Sequence, residues 1–168
     1  LNSKVTRVVR DGNRVKGVVV QDAQGDRTVN CTDVISTMPL SELITTFEPP
    51  PPIDVIDAAR RLEYRDFLTV LLIIDKPHVF PDNWIYIHSP DVQVGRIQNF
   101  KNWSPHMVPD PSKTSIGMEY FCAEGDPLWQ MEDQELVELA TRELAEIGIS
   151  AVDDITDGVV VRQRKAYP

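Results

Sequence analysis

The stretch "FLTVLLIID", from Phe67 to Asp75, is almost continuously apolar and rich in β-branched residues. An apolar run of this length is short for a buried helix and is typical of a strand that is covered on both faces. We therefore predict a central strand here. Further strands of the same sheet are predicted in "NWIYIHSPDVQVGRIQNF" (83–100, a hairpin), "SIGMEYFCA" (115–123) and "DGVVVRQRKAY" (157–167).

The chain before this sheet has a different pattern. Residues 1–37 contain strand-like stretches separated by turn residues, which predicts a three-stranded antiparallel β-meander. "DVIST" (33–37) predicts a short buried fourth strand, and Pro39 predicts the start of a helix through "LSELITTF". The stiff "EPPPP" stretch (48–52) is predicted to separate two domains, residues 1–48 and 49–168.

Two more helices are predicted after the proline stretch. "IDVIDAARRLEY" (53–64) has one apolar face, and the segment from Asp133 to Ile147 carries leucine and alanine at helical spacing before Gly148. The charged side chains of the second helix are predicted to be exposed: Glu135, Glu138, Arg142 and Glu146. The predicted fold class is α+β, with a mixed, mostly antiparallel sheet and flanking helices, preceded by the three-stranded β-meander.

Composition excludes several classes of function. The net charge of −9 argues against a non-specific surface for nucleic acid or anionic membrane. No apolar run reaches the roughly 20 residues of a membrane-spanning helix. Cys31 and Cys122 are expected to be free thiols in a reducing cytoplasm, with a single disulfide as the alternative. His78, His88 and His106 have no metal-ligand spacing, so no metal site is predicted.

The hairpin has two unlike faces. In an antiparallel hairpin, the residue numbers of each directly opposed pair add up to the same value. Ile85, Ile87 and Ile97 share one face only if that value is even, as it is when Tyr86 lies opposite Arg96. A loop of odd length, such as three residues, gives this register. Because a slip of one residue would separate the isoleucines, the apolar pattern predicts the even register.

The other face of the hairpin is predicted to bind a small-molecule substrate through Trp84, Tyr86, Arg96 and Gln98. A tyrosine hydroxyl and a guanidinium donate hydrogen bonds, and an indole offers a flat surface for a ring. Because Arg96 is a fixed cation, the expected substrate is anionic. The alternative is structural, because aromatic residues are ordinary on strands. Arg96 on the isoleucine side, or in a buried pair with an acidic side chain, would contradict the binding role and leave the hairpin as part of the core.

Two parts of the chain resemble a known superfamily. "KVTRVVRDGNRVKGVVVQD…DVISTMPL" resembles the region of FAD-dependent amine-oxidase-like flavoproteins in which a β-meander leads back into the dinucleotide-binding sheet. In that superfamily the returning strand ends in a short segment near the cofactor, and "STMP" fills this place here. The resemblance therefore implies that Ser36, Thr37 and Pro39 contact FAD.

The hairpin region resembles one branch of this superfamily more narrowly. "NWIYIHSPDVQVGRIQNFKNWSP" is similar to UDP-galactopyranose mutases, a branch that shares much with protoporphyrinogen-oxidase-like and amine-oxidase-like members. In the mutases an aromatic-x-Tyr strand and a following Arg bind the substrate's diphosphate. The resemblance implies this role for Trp84, Tyr86 and Arg96, ahead of the N-[YW]-S-P segment at 102–105.

No catalytic residue is predicted, because the sequence has no G-x-S-x-G, H-E-x-x-H or C-x-x-C motif and no G-x-G-x-x-G phosphate loop. The sequence also begins without Met and ends within a predicted strand. We therefore expect the substrate-binding part of a longer FAD-dependent oxidoreductase or mutase. FAD is expected to bind the longer protein and not to be retained by these 168 residues. The alternative is a non-catalytic α+β domain that binds another protein.

Overall fold

A computed structural model describes residues 2–167 and divides them into two compact units, residues 2–63 and 64–167. Each unit contains its own sheet, and helices accompany both sheets. The predicted α+β class is confirmed. The division between the compact units falls at residue 63, so the helix after the proline stretch belongs with the first unit.

The first unit contains the predicted meander. Three antiparallel strands pair in the order β3-β2-β1, and a two-residue strand pairs with β1 in parallel. Arg10 holds the proline stretch against the sheet, because its guanidinium donates to the carbonyl oxygens of Pro49 (2.9 Å) and Pro50 (3.1 Å). The elements are β1 (Lys4–Asp11), β2 (Arg14–Asp22), β3 (Gly25–Asn30), α1 (Leu40–Thr45), β4 (Phe47–Glu48) and α2 (Ile53–Arg60).

The prediction of a strand at residues 33–37 is wrong. These residues are irregular, and Ile35 is 97% exposed. A short apolar strand forms only where neighbouring strands satisfy its backbone and cover its side chains. No strand described in residues 2–63 pairs with this segment. The helix that was predicted after it is present as α1.

The second unit is built on a five-stranded antiparallel sheet with the strand order β6-β7-β8-β5-β9. β5 pairs with β8 on one side and with β9 on the other, so the predicted central strand is confirmed. The elements are β5 (Arg65–Ile74), β6 (Trp84–Tyr86), β7 (Arg96–Asn99), α3 (Phe100–Trp103), β8 (Thr114–Cys122), α4 (Pro127–Gln130), α5 (Asp133–Glu146) and β9 (Ile155–Tyr167), with 3₁₀ turns at Pro105–Met107 and Val152–Asp154.

One face of this sheet is covered by α5, and we call it the packed face. Leu136, Ala140 and Leu144 of α5 are fully buried against it, as their helical spacing predicts. The four charged residues predicted to be exposed on α5 are exposed. The sheet residues of the packed face are Leu68, Val70, Leu72, Ile74, Ile97, Ile116, Met118, Tyr120 and Cys122.

A buried carboxylate lies on the packed side of the sheet and was not predicted. Glu143 of α5 is only 5% exposed. It accepts hydrogen bonds from the backbone N–H groups of Gln93 (2.7 Å) and Val94 (3.1 Å) and from the hydroxyl of Tyr120 (3.0 Å). Burial raises the pKa of Tyr120, and the nearby Glu143 raises it further, so the hydroxyl stays a donor. Glu143 thereby ties α5 to the loop that precedes β7.

Three negative findings concern residues 2–167. No helix in this range is long and apolar enough to cross a membrane. No three His, Cys, Asp or Glu side chains of these residues are grouped so that they could hold a metal ion. Both cysteines are free thiols, and burial raises the pKa of Cys122.

Candidate ligand-binding surface

The hairpin of β6 and β7 has the predicted register. Trp84 lies opposite Gln98, Ile85 opposite Ile97, and Tyr86 opposite Arg96. The ladder continues one pair further, because the Ile87 N–H donates to the Gly95 carbonyl oxygen at 3.0 Å. The loop therefore spans residues 88–94. The number of loop residues is odd, as predicted, but it is larger than three.

The register separates the two sets of side chains as the sequence predicts. Ile97 is fully buried, and Ile85 and Ile87 pack against the same core. Trp84 and Tyr86 point away from that core and are 41% and 54% exposed. Their rings meet edge to face, with centroids 4.8 Å apart.

The aromatic side chains continue across the sheet on the face opposite α5, which we call the open face. Strand pairing places β8, β5 and β9 side chains beside those of the hairpin. Among residues 2–167, the short helix α3 packs on part of this face, through Phe100 over Gly117, and no helix as long as α5 covers the rest. The open face includes Phe67, Trp84, Tyr86, Arg96, Gln98, Glu119, Phe121, Val159, Val161 and Tyr167.

Arg96 lies on β7, next to the edge strand β6, and has two polar partners. Its Nε donates to the carboxylate of Glu119, and its Nη2 donates to the hydroxyl of Tyr167 at 3.0 Å. Burial acts to lower the pKa of Arg96, but the hydrogen bonds to Glu119 and Tyr167 outweigh it and raise this pKa above its usual value. The guanidinium is therefore always charged and is held in one orientation.

Three rings surround the same guanidinium. Its central carbon lies 5.9 Å from the ring centroid of Trp84, 6.0 Å from that of Tyr86 and 5.8 Å from that of Phe121. These distances are within the range in which a cation interacts with an aromatic face. The aromatic residues that the sequence singled out are thus arranged around Arg96.

The acidic partner of Arg96 changes the expected chemistry of the surface. The side chains of Arg96 and Glu119 are 17% and 6% exposed, so the pair is largely buried, and it is formally neutral. A buried pair of this kind counts in favour of a structural role for Arg96. Because Glu119 neutralises it, Arg96 is no longer an isolated positive charge that would favour an anionic substrate. Within residues 2–167, the Nη1 nitrogen of Arg96 has no hydrogen-bond partner and remains a donor for a ligand.

Two glycines let rings lie directly on the open face. A Cβ atom at Gly95 would come within 2.9 Å of the Phe121 ring, and one at Gly117 within 2.8 Å of the Phe100 ring. Real Cβ atoms do not approach other atoms so closely, so the rings occupy space that only glycine leaves. Phe121 reaches Arg96 partly for this reason.

Gln98 is engaged by the short helix α3. The Gln98 side-chain oxygen accepts a hydrogen bond from the indole N–H of Trp103 at 2.9 Å. The helix is anchored by Lys101, whose ammonium donates to the carbonyl oxygens of Pro77, Pro111 and Lys113. Trp103 is 52% exposed and adds another aromatic side chain beside the hairpin.

The predicted cofactor contacts belong to the other compact unit. Ser36, Thr37 and Pro39 lie in the irregular segment before α1, where the Ser36 hydroxyl accepts from the Met38 N–H at 3.3 Å. Both α1 and α2 begin directly after a proline, Pro39 and Pro52, and not after a glycine-rich turn. The pyrophosphate of a dinucleotide needs such a turn and its free N–H groups. Neither α1 nor α2 therefore begins with the turn that would cradle the pyrophosphate of a dinucleotide.

Four residues that contact the predicted binding residues were missed from sequence: Glu119, Phe121 and Tyr167 beside Arg96, and Trp103 beside Gln98. Glu119 carried a signal, because it is the acid in the otherwise apolar strand "SIGMEYFCA". Its pairing with Arg96 depends on β7 lying beside β8, which no local pattern reveals. Glu143 also carried a signal, since it lies seven residues after Leu136 and therefore on the apolar side of α5.

Comparison with known proteins gives the class of this chain. The family model described as flavin-containing amine oxidoreductase matches residues 1–168. The chain belongs to this family. The solved structures show the same fold at low identity, and a comparison with curated proteins gives no match.

Three solved structures illustrate the relationship. A reduced UDP-galactopyranose mutase is 16% identical, with a TM-score of 0.62 over 98% of this chain and 34% of that one. An oxidoreductase from Methanosarcina mazei is 12% identical, with a TM-score of 0.64 over 99% and 38%. A putrescine oxidase bound to putrescine is 16% identical, with a TM-score of 0.57 over 95% and 34%. The chain spans about a third of the length of these structures.

Proposed function

We propose that the chain is the substrate-binding part of a longer FAD-dependent oxidoreductase or mutase, and that the open face of residues 64–167 binds the substrate. The observation that supports this proposal is the arrangement around Arg96. The guanidinium is held by Glu119 and Tyr167, and its Nη1 has no hydrogen-bond partner within residues 2–167. Three exposed or half-exposed rings surround it on a sheet face of which α3 covers only a part.

Each residue of the open face has a part in the proposed binding. The rings of Trp84 and Tyr86 offer flat apolar surfaces for a ring or chain of the substrate. The Nη1 of Arg96 donates to an acceptor group, and Gln98 and Trp103 add polar edges beside it. In the longer protein the flavin supplies the redox chemistry, and these side chains bind and orient the substrate.

Two substrate classes follow from the family. UDP-galactopyranose mutase is named for a sugar nucleotide, and the putrescine oxidase structure contains an amine. We favour a sugar nucleotide or a similar molecule for this chain, because an exposed indole beside a guanidinium donor suits a base or sugar that is joined to an acceptor group. A free carboxylate would favour an amine, and Glu119 is already bound to Arg96.

We further propose a division of the longer protein into parts. Residues 1–48 would belong to its flavin domain, with Ser36, Thr37 and Pro39 near FAD, and residues 49–168 to its substrate domain. The exposed segment around Ile35 supports the first assignment, because an apolar stretch that is 97% exposed at its centre suits a neighbouring strand from the rest of that protein. The two free thiols suit a cytoplasmic location.

Purification of the full-length protein tests this proposal. We expect a flavin absorption spectrum, and we expect FAD to remain bound through gel filtration. The 168-residue chain alone should not bind FAD with a dissociation constant below about 1 μM, because it lacks the glycine-rich cradle. A colourless full-length protein, or tight FAD binding by the 168-residue chain, would contradict the proposed division.

A further inference from the structure

The charge next to Arg96 on the open face is set by its pairing with Glu119. Glu119 faces Arg96 directly across the ladder between β7 and β8, and its carboxylate accepts from the guanidinium Nε. Its side chain is 6% exposed, so its charge is directed at Arg96 and not at bulk solvent. The chain as a whole carries a net charge of −9 and supplies no general attraction for an anion.

We propose that Glu119 determines the charge preference of the open face. By neutralising Arg96, it lowers the affinity of the surface for anionic groups, so that the uncharged ring groups of a ligand contribute most of the binding. The inference rests on the proposed role of the open face in ligand binding and extends it to substrate specificity. Tyr167 has a separate part, since its hydroxyl orients the guanidinium through Nη2 without adding charge.

The physical reason is the distance between like charges. An anion that accepts from Nη1 would lie within about one guanidinium width of the Glu119 carboxylate. At such distances a single charge near a protein surface changes the binding free energy enough to alter affinity by about fivefold to fiftyfold. Removing the charge while keeping the hydrogen bond should therefore strengthen anion binding, whereas simple damage to the surface would weaken it.

The test is the substitution Glu119→Gln with inorganic pyrophosphate as the probe. Glutamine keeps the length and a hydrogen-bond acceptor but removes the charge. Titration calorimetry of the 168-residue chain at low salt should show an affinity at least about fivefold higher than that of the wild type. The gain should shrink as sodium chloride is added, because salt screens exposed charges.

A matched control exists on the same unit. Glu124 pairs with Arg164 at 2.6 Å, and both side chains are more than half exposed. Glu124→Gln makes the same change of net charge and should leave pyrophosphate affinity within about twofold of the wild type, because an exposed pair is well screened. Tyr167→Phe, which removes no charge, should also fail to raise the affinity.

The outcomes separate this inference from the proposed function. If Glu119→Gln gives no gain, or gives the same gain as Glu124→Gln, Glu119 does not determine the charge preference. Adding Arg96→Gln to Glu119→Gln should abolish the gain, and a gain that persists would also overturn the inference. If Glu119→Gln does not fold, Glu119→Met must show the same gain. Failure of the proposed function would appear separately, as unchanged substrate binding when Trp84 or Arg96 is replaced in the full-length protein.

Discussion

The two faces of the five-stranded sheet are built from the same strands but differ in how their side chains are satisfied. On the packed face, Leu68, Val70, Leu72 and Ile74 of β5 are fully buried beneath α5. On the open face the alternate residues of the same strand are only half-buried, and the neighbouring strands add charged and aromatic side chains. The comparison shows that burial specifies the first face, whereas polar and aromatic contacts specify the second.

Each face contains a buried glutamate with a different kind of partner. Glu143, on the packed side, is held by two backbone N–H groups and a tyrosine hydroxyl, so it joins elements together. Glu119, on the open side, is held by an arginine whose Nη1 has no hydrogen-bond partner within residues 2–167. The hydrogen bonds of Glu143 are all made within the protein, whereas the guanidinium that holds Glu119 has a donor left for a ligand.

The largest expected effect is on the packed face. Leu136→Ala should lower the free energy of unfolding by about 2–5 kcal/mol, because Leu136 is fully buried and the substitution leaves a cavity. Urea denaturation of the 168-residue chain measures this loss. Val161→Ala on the open face is the control, since Val161 is 53% exposed, and it should change stability by less than about 0.5 kcal/mol. Equal losses at the two positions would remove the distinction between the faces.

A loss of similar size is expected when Arg96 is replaced, but for a different reason. Arg96→Ala leaves the Glu119 carboxylate buried without its partner, which should cost about 3 kcal/mol. Replacing both residues with leucine should recover most of that loss, because no uncompensated charge then remains. Denaturation of the single and double variants measures the recovery. If the double variant is no more stable than Arg96→Ala, the pair is not the source of the loss.

The next effect concerns the unpredicted carboxylate on the packed side. Glu143→Gln keeps the shape but replaces one acceptor oxygen with a donor NH₂, so one of the N–H groups of Gln93 and Val94 or the Tyr120 hydroxyl loses its partner. This should cost about 1–3 kcal/mol. Amide exchange at Gln93 and Val94 should accelerate as well. Glu146→Gln, an exposed change on the same helix, should neither lower the stability nor accelerate the exchange. Equal effects from the two substitutions would mean that Glu143 does not hold α5 to the loop before β7.

The sequence predicted the packed face more completely than the open face. Helical spacing identified Leu136 and Leu144 as buried, and the register of the hairpin placed Ile97 on the core side and Tyr86 on the opposite side. Both predictions succeeded because the patterns are local and repeat along one element. The contact between Arg96 and Glu119 joins residues that are 23 positions apart and exists only because β7 lies beside β8. The strand expected at residues 33–37 failed for a related reason, since a buried strand needs neighbours that residues 2–63 do not provide.

The proposed role of the open face is tested most directly by Trp84→Ala in the full-length protein. Trp84 is 41% exposed, and its contacts are with Tyr86 and Arg96 on the open face, so its loss should remove a stacking surface without opening a core cavity. We expect the KM for the substrate to rise at least about tenfold, as is typical for loss of an aromatic stacking partner, with flavin content and Tm unchanged. An unchanged KM would contradict the proposed binding role, and so would a fall in Tm as large as that caused by Leu136→Ala.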